Sequence, residues 1–214
     1  MLVRKKMKTE VITITKDEPM TAAKKFLKEK NIRHLPVVED KKLIGLVTNM
    51  DIRNAEGSPA PSLAIHELSY LLDKIRVDEI MTRHVITISP DISVEEAATL
   101  LHDNKIGCLP VVEDGTLVGM LTENDVMEML IDVMGMKEKG SRMEIMVDDK
   151  PGALADLTRI IKEYNVNIIS VVTDVAEEPA KRLVVFKLKT FYFEPILKAM
   201  EAAGFNVRYA SIEK

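Results

Sequence analysis

The element Gly-x-x-Thr-x-x-Asp occurs twice, as Gly45, Thr48 and Asp51 and again as Gly119, Thr122 and Asp125. In both places an apolar run ends at the Thr and a helical pattern begins after it. The Thr therefore closes a strand and the Asp opens the next helix. A hydroxyl and a carboxylate three residues apart at such a turn suit a ribose or a phosphate. The carboxylate can accept from both ribose hydroxyls, and a helix N-terminus favours an anion. The same pair can instead simply cap the short helix. Repetition at one register weakens that alternative without removing it, because a duplication copies caps as faithfully as sites.

Other reactive residues form no constellation. Cys108 is the single cysteine, so no internal disulfide forms and a zinc site lacks its ligands. No His or acid is placed in sequence to activate it, and a small buried thiol is expected. His66, His84 and His102 are scattered without ligand spacing. Met127, Met129, Met134 and Met136 read as core or interface filler. No nucleophile–base set, paired catalytic carboxylates or phosphate-cradling Walker loop is present.

The elements that must hold the two Thr–Asp turns come from a duplication. Residues 7–52 align without a gap on residues 81–126 at an offset of 74, with 19 identities over 46 positions. Met7-Lys-Thr-Glu-Val-Ile-Thr-Ile matches Met81-Thr-Arg-His-Val-Ile-Thr-Ile, and Leu35-Pro-Val-Val-Glu-Asp matches Leu109-Pro-Val-Val-Glu-Asp. Each copy reads as β-α-β-β-α. A short β-rich piece (Val11–Thr15, Val85–Ser89) precedes an amphipathic helix. In the second copy Val94, Ala97 and Leu101 share one face of that helix, and Ser93 with Glu96 forms a capping box at its start. Two strands follow, around Leu35–Glu39 and Leu43–Thr48 in the first copy, and Gly115 sits in the corresponding turn of the second. One such unit has too little core to stand alone, so the two are expected to pair about a pseudo-twofold axis with a cleft between them. The copies are assigned to residues 1–56 and 77–135. Between them, 57–76 opens with Gly57, Pro59 and Pro61 and then shows a helical pattern of Leu63, Leu68, Leu71, Leu72 and Ile75.

Residues 141–214 form a different domain. Met143, Ile145 and Val147 alternate as a strand, and Asp149-Lys-Pro-Gly turns the chain. Leu154, Leu157, Ile160 and Ile161 share a helical face that ends near Asn165. Strands are expected at Val166–Thr173 and Leu183–Lys189. A helix through Phe193, Ile196, Leu197 and Met200 ends at Gly204, and Phe205, Val207 and Tyr209 alternate as the last strand. The order βαββαβ predicts a ferredoxin-like sandwich, four antiparallel strands with two helices on one face. The fold class is α+β.

Composition narrows the function. The 214 residues are 46% hydrophobic and 30% charged, enough apolar material for packed cores. A net charge of -4 offers no basic excess for a phosphate backbone, so nucleic acid is not the expected partner. The apolar runs fall far short of the ~20 residues of a membrane helix. No secretory h-region follows the charged N-terminus, and a reduced cysteine suits the cytoplasm.

The paired copies resemble a tandem of cystathionine-β-synthase-type (CBS) domains, a Bateman module. The likeness rests on the Ile-Thr-Ile start, the Leu-Pro-Val-Val strand and the Gly-x-x-Thr-x-x-Asp ending in both copies. It implies an adenine nucleotide as regulatory ligand (AMP, ADP or ATP, with NAD and S-adenosylmethionine as further candidates) and no metal. Asp51 and Asp125 would contact ribose, and Thr48 and Thr122 phosphate. Backbone near Val11, Ile12 and Thr13, and near Val85, Ile86 and Thr87, would meet adenine. The strand entrances complete the implied set: Arg33, His34, Leu35 and Pro36 in one copy, Gly107, Cys108, Leu109 and Pro110 in the other. Basic residues at this entrance hold phosphates in such modules, so Arg33 and His34 imply an anionic group near the first copy. Gly107 implies room on the other side, and unequal occupancy of the clefts is expected.

The third domain resembles an ACT domain, a small-molecule regulatory module of amino-acid metabolism. Asp149-Lys-Pro-Gly-Ala-Leu and Asn165-Val-Asn-Ile carry this likeness. The Pro151–Gly152 turn offers N–H groups suited to a carboxylate, or else Pro151 merely occupies the first helical position. The resemblance implies an amino-acid-like effector held by Asp149, Pro151, Gly152, Ala153 and Leu154 of one chain and Asn167 and Ile168 of another, hence a homodimer. The order of modules is similar to the acetoin-utilisation protein B family, which implies a cytosolic, non-catalytic regulator linked to acetoin or central carbon metabolism, acting through small-molecule effectors on a metabolic enzyme. An enzyme on the ferredoxin-like domain and a purely structural dimerisation module are the alternatives. An RNA-binding βαββαβ domain would need stacking aromatics and a basic surface, both missing here.

Overall fold

The computed structural model describes residues 1–56 and 73–213. The chain divides into two compact units, Met1–Val126 and Met127–Lys214.

In the first unit each copy places a helix before a β-hairpin and a second helix after it. The first copy runs α1 (Met20–Glu29), β1 (His34–Glu39), β2 (Lys42–Thr48) and α2 (Asn49–Glu56). The second runs α3 (Val77–Ile80), α4 (Val94–Asn104), β3 (Cys108–Glu113), β4 (Thr116–Thr122) and α5 (Glu123–Val133), whose residues from Met127 on belong to the second unit. The hairpins share one register: His34 pairs Thr48 and Cys108 pairs Thr122, with a bulge at Val37/Val38 and again at Val111/Val112. Both hairpin turns need two residues at positive φ, as tight hairpins with the right-handed strand twist do. Asp114 and Gly115 (φ 49° and 77°) supply them in one copy, and Asp40 and Lys41 (49° and 65°) in the other. As expected, Val94, Ala97 and Leu101 are buried, and Ser93 Oγ accepts from the Glu96 N–H at 3.0 Å.

One expectation needs correction. Val11–Thr15 and Val85–Ser89 are extended but are not strands. Each makes one parallel bridge, Ile14 to Val37 and Ile88 to Val111. The sheet bulge sits at that bridge, so regular pairing does not propagate beyond it.

The copies are joined by exchanged segments. Val3 donates to Ile92 O at 3.0 Å, and its counterpart Val77 donates to Glu18 O at 2.9 Å. Lys8 and Met120 exchange two backbone hydrogen bonds, as do Thr82 and Leu46. The glycines of the repeated motif permit this crossing. A Cβ on Gly45 would lie 2.5 Å from Met81 Sδ and 3.1 Å from Thr82 O. On Gly119 it would lie 2.6 Å from Met7 Sδ and 3.0 Å from Lys8 O. Of the interval between copies, Gly57, Pro59, Pro61, Leu63, Leu68, Leu71 and Leu72 lie outside the described residues. Arg76 pairs with Pro19, and Ile75 packs on the core around Met20, Leu27 and Leu35.

The second unit carries the expected βαββαβ order: β5 (Gly140–Asp148), α6 (Ala153–Glu163), β6 (Ile168–Val175), β7 (Lys181–Leu188), α7 (Glu194–Ala202) and β8 (Asn206–Glu213). The sheet order is β6-β7-β5-β8, all antiparallel. Met143, Ile145 and Val147 pack against Leu157 and Ile161 of α6 and Ile196 and Met200 of α7. Two side chains depart from the expected pattern. Glu144 pairs Tyr209 while Ile145 pairs Val207, so β8 carries a bulge at Arg208 that turns Tyr209 outward. Leu154, in the first turn of α6, is exposed while Leu157 and Ile161 take the core.

Candidate functional site

Both Thr–Asp turns close on themselves in the same way. Asp51 Oδ2 accepts from the Thr48 N–H and Oγ–H, each at 2.7 Å, and Thr48 Oγ accepts from the Asp51 N–H at 3.4 Å. Asp125 Oδ2 accepts from the Thr122 N–H at 2.8 Å and Oγ–H at 2.6 Å, and Thr122 Oγ accepts from the Asp125 N–H at 3.3 Å. The pair is thus a reciprocal helix cap. Capping does not exclude a ligand role, because it consumes only Oδ2; Oδ1 of Asp125 pairs instead with Lys8 Nζ at 2.9 Å. The Thr hydroxyl protons are committed to the carboxylates.

The turns open onto two clefts in the first unit, related by the repeat. The first cleft, about 180 Å³, is lined by Val11, Ile12, Arg33, His34 and Pro36 from copy one and by Met120, Thr122 and Asn124 from copy two. The second, about 370 Å³, is lined by His84, Val85, Ile86, Gly107 and Cys108 from copy two and by Leu46, Thr48, Met50 and Asp51 from copy one. Each cleft therefore takes its extended segment and strand entrance from one copy and residues of the Thr–x–x–Asp turn from the other, Asp51 lining the second while Asp125 lies off the first cleft's wall. Crossed assembly was not readable from either copy alone.

Several expected residues stand back from these walls. Leu35 and Leu109 are fully buried in strand interiors, so their side chains are core and not cleft lining. The Pro36 and Pro110 carbonyls accept from Ile14 and Ile88 and fix the backbone. Thr13 and Thr87 line neither cleft. Conversely, Lys8, Glu10 and Asn124 line the first cleft and Thr82, His84 and Met50 the second, although none of them belongs to the residues the motifs mark. The signal available was the offset itself, which pairs Lys8 with Thr82 and Glu10 with His84.

Charge separates the clefts. Lys8 Nζ lies 2.9 Å from Asp125 Oδ1, whereas Thr82 occupies that position beside Asp51. Asp125 is buried, which alone would raise its pKa. Hydrogen bonds from Thr122 and Lys8 outweigh this and hold it below the usual carboxylate value. His34 borders both clefts, and burial, aided by the Arg33 charge, lowers its pKa against the opposing effect of Glu123. Its ring fills the space expected to be open at Gly107: a Cβ there would lie 3.0 Å from His34 Nε2. Cys108 is buried, and desolvation pushes its thiol up to about 12, which disfavours the thiolate.

In the second unit the Pro–Gly turn differs from the expectation in detail. Gly152 is the N-cap at φ 91°, so Pro151 precedes the cap and Ala153 is the first helical residue. Asp149 is ion-paired with Arg182 at 3.1 Å. Ala153 lines a cavity of about 330 Å³ with Lys150, Asp156 and Lys181, while Asn167 and Ile168 line another of about 310 Å³. The two parts of the expected effector set lie apart within one chain, because β5 and β6 run parallel and contribute opposite ends. Among the described residues no cluster of His, Cys, Asp or Glu could hold a metal, and no helix is long and apolar enough to cross a membrane.

Comparison with known proteins fits this geometry. The CBS domain model matches residues 3–58 and 77–132, just over half the chain. The chain belongs to the CBS-domain family. The ACT domain model matches residues 141–190, so the CBS pair is followed by a C-terminal ACT domain. A CBS domain-containing protein of Dictyostelium discoideum is 35% identical over 135 residues, covering 62% of this chain and 93% of that one. An inosine-5'-monophosphate dehydrogenase of Thermoplasma acidophilum is 34% identical over 118 residues, but this CBS protein spans only 21% of its length against 55% of its own. Among solved structures, a Vibrio cholerae protein provisionally named for acetoin utilization (AcuB) superposes with TM-score 0.54 at 29% identity, covering 64% of this chain and 95% of that one. The CBS pair of protein MJ0100, solved with 5'-methylthioadenosine and S-adenosyl-L-methionine, gives 0.51 at 31%, covering 64% and 98%. CBSX2, solved with AMP, gives 0.51 at 28% with the same coverage.

Proposed function

We propose that this CBS–ACT protein is a non-catalytic cytosolic regulator that binds an adenine nucleotide in its CBS clefts. One observation carries the reading: two repeat-related clefts each end on a Thr–x–x–Asp turn at a helix N-terminus, with Asp51 on the wall of the second and Asp125 paired to Lys8 on the wall of the first. A carboxylate can accept from ribose hydroxyls, and the helix N-terminus beside it suits a phosphate. The AMP and S-adenosylmethionine complexes of similar CBS pairs support the ligand class. The ACT domain adds an amino-acid-like effector site completed by a second chain, with Gly152 N–H groups on one protomer and Asn167 and Ile168 on its partner, which makes the protein a homodimer. The likeness to AcuB supports acetoin or central carbon metabolism as the setting and a metabolic enzyme as the regulated partner.

A thermal-shift panel of AMP, ADP, ATP, NAD, S-adenosylmethionine and amino acids tests this. A ligand at 100 times its Kd stabilises by about 2.7 kcal/mol, which for a chain of this size raises Tm by about 5–10 °C. A rise with at least one adenine compound is expected. No rise with any of them would leave a structural dimerisation module as the better reading.

A further inference from the structure

We propose that the two CBS clefts sort adenosine compounds by charge, the first taking a phosphate-bearing nucleotide and the second an uncharged or cationic nucleoside. This rests on the adenosine binding proposed above and adds which compound each cleft selects.

The first cleft carries Lys8, Arg33 and Glu10 on its walls, with the buried Asp125 behind Lys8 as its ion-pair partner. Among the described residues the second carries Asp51 with no Lys or Arg on its walls, and Glu123 lies beside Gly107 at its edge. His34 adds no cation there, because burial and the neighbouring Arg33 favour its neutral form. A phosphate in the second cleft would meet carboxylate charge that no cation on its described walls answers, Arg33 acting there only through its field at Cys108 and His34.

The state of each Asp sharpens the distinction. Asp125 Oδ1 is already paired with Lys8. A ribose can reach it only if Lys8 leaves. A nucleoside offers the displaced ammonium nothing in return, whereas the phosphate of a nucleotide receives it. The exchange therefore favours nucleotide over nucleoside. At about 180 Å³ the first cleft is below the roughly 300 Å³ at which ligand pockets begin, and because Lys8 is one of its walls, its departure toward a phosphate also enlarges the space. In the second cleft Thr82 replaces Lys8, no ion pair must break at Asp51, and the volume is about 370 Å³. A nucleoside needs no phosphate to enter it.

Calorimetric titration of the full chain with AMP, adenosine and 5'-methylthioadenosine tests the sorting. Three results are expected. 5'-Methylthioadenosine binds with undiminished affinity to protein saturated with AMP. Lys8→Met, at a side chain that is 66% exposed, leaves the fold intact and narrows the AMP-over-adenosine preference by about tenfold, the size of one charge-assisted hydrogen bond. Asp51→Asn weakens 5'-methylthioadenosine far more than AMP. Competition between AMP and 5'-methylthioadenosine, or equal shifts of AMP and adenosine in Lys8→Met, would overturn the sorting while leaving nucleotide binding in place. Absence of binding by all three compounds would overturn both.

Discussion

Gly119→Ala isolates why the repeated motif begins with glycine. The added Cβ would meet Met7 Sδ at 2.6 Å and Lys8 O at 3.0 Å. The methionine can swing away, but the carbonyl belongs to backbone that exchanges two hydrogen bonds with Met120. Overpacking of this kind costs about 1–3 kcal/mol, and weakening the two hydrogen bonds adds up to about 1 kcal/mol each. A total near 2–3 kcal/mol lowers Tm by about 5–10 °C. Gly115→Ala is the matched comparison. It has a φ of 77° with nothing within 4 Å of its Cβ position, and Lys41 holds the same turn position in the first copy at φ 65°. Only the left-handed conformation then matters, worth about 1 kcal/mol. Urea unfolding of both variants, followed by circular dichroism, measures the difference. An equal loss in the two, or a larger loss at Gly115, would refute close approach as the reason for Gly119. Because Lys8 follows Met7, Gly119→Ala should also loosen the Lys8–Asp125 pair and weaken nucleotide binding in the first cleft.

Two further outcomes follow from the ionisation of buried groups. Asp125 has a folded pKa below its ordinary 3.8, so its contribution is complete above that value and is lost as pH falls through the folded one. The stability gap between wild type and Asp125→Asn should be about 1.5–3 kcal/mol, flat from pH 8 to 5 and shrinking below about pH 4. A gap that is unchanged at pH 3 would show that the carboxylate charge is not what the turn uses. Cys108, with its thiol pushed up to about 12, should resist iodoacetamide at about pH 8.5 in the folded protein and react rapidly in urea. Fast labelling without denaturant would mean that the strand entrance opens.

The duplication made most of the first unit legible. An ungapped offset transfers each inference from one copy to the other, and Val94, Ala97 and Leu101 took the buried face their spacing required. The four-strand order of the ACT domain was equally plain from its alternating and helical periods. What escaped has a common cause in pairings between distant segments. Nothing local to Val85 says that it faces Thr48, or that Lys8 crosses to Met120 and reaches Asp125. Tyr209 alternates correctly with Val207 in sequence, yet a single bulge reverses its face, as the period of two in a strand makes unavoidable. Gly107 promised space by its type, and the space is taken by a His from the other copy.

In the proposed function Asp51 and Asp125 hold adenosine compounds in the two CBS clefts. Calorimetric titration of AMP into the full chain and into the Asp51→Ala/Asp125→Ala double variant addresses it most directly. Saturable heat is expected with the wild type. In the folded double variant the affinity should fall by at least about tenfold, as the loss of a hydrogen bond to a charged group requires. No heat with the wild type, or the same affinity in the variant, would contradict the account.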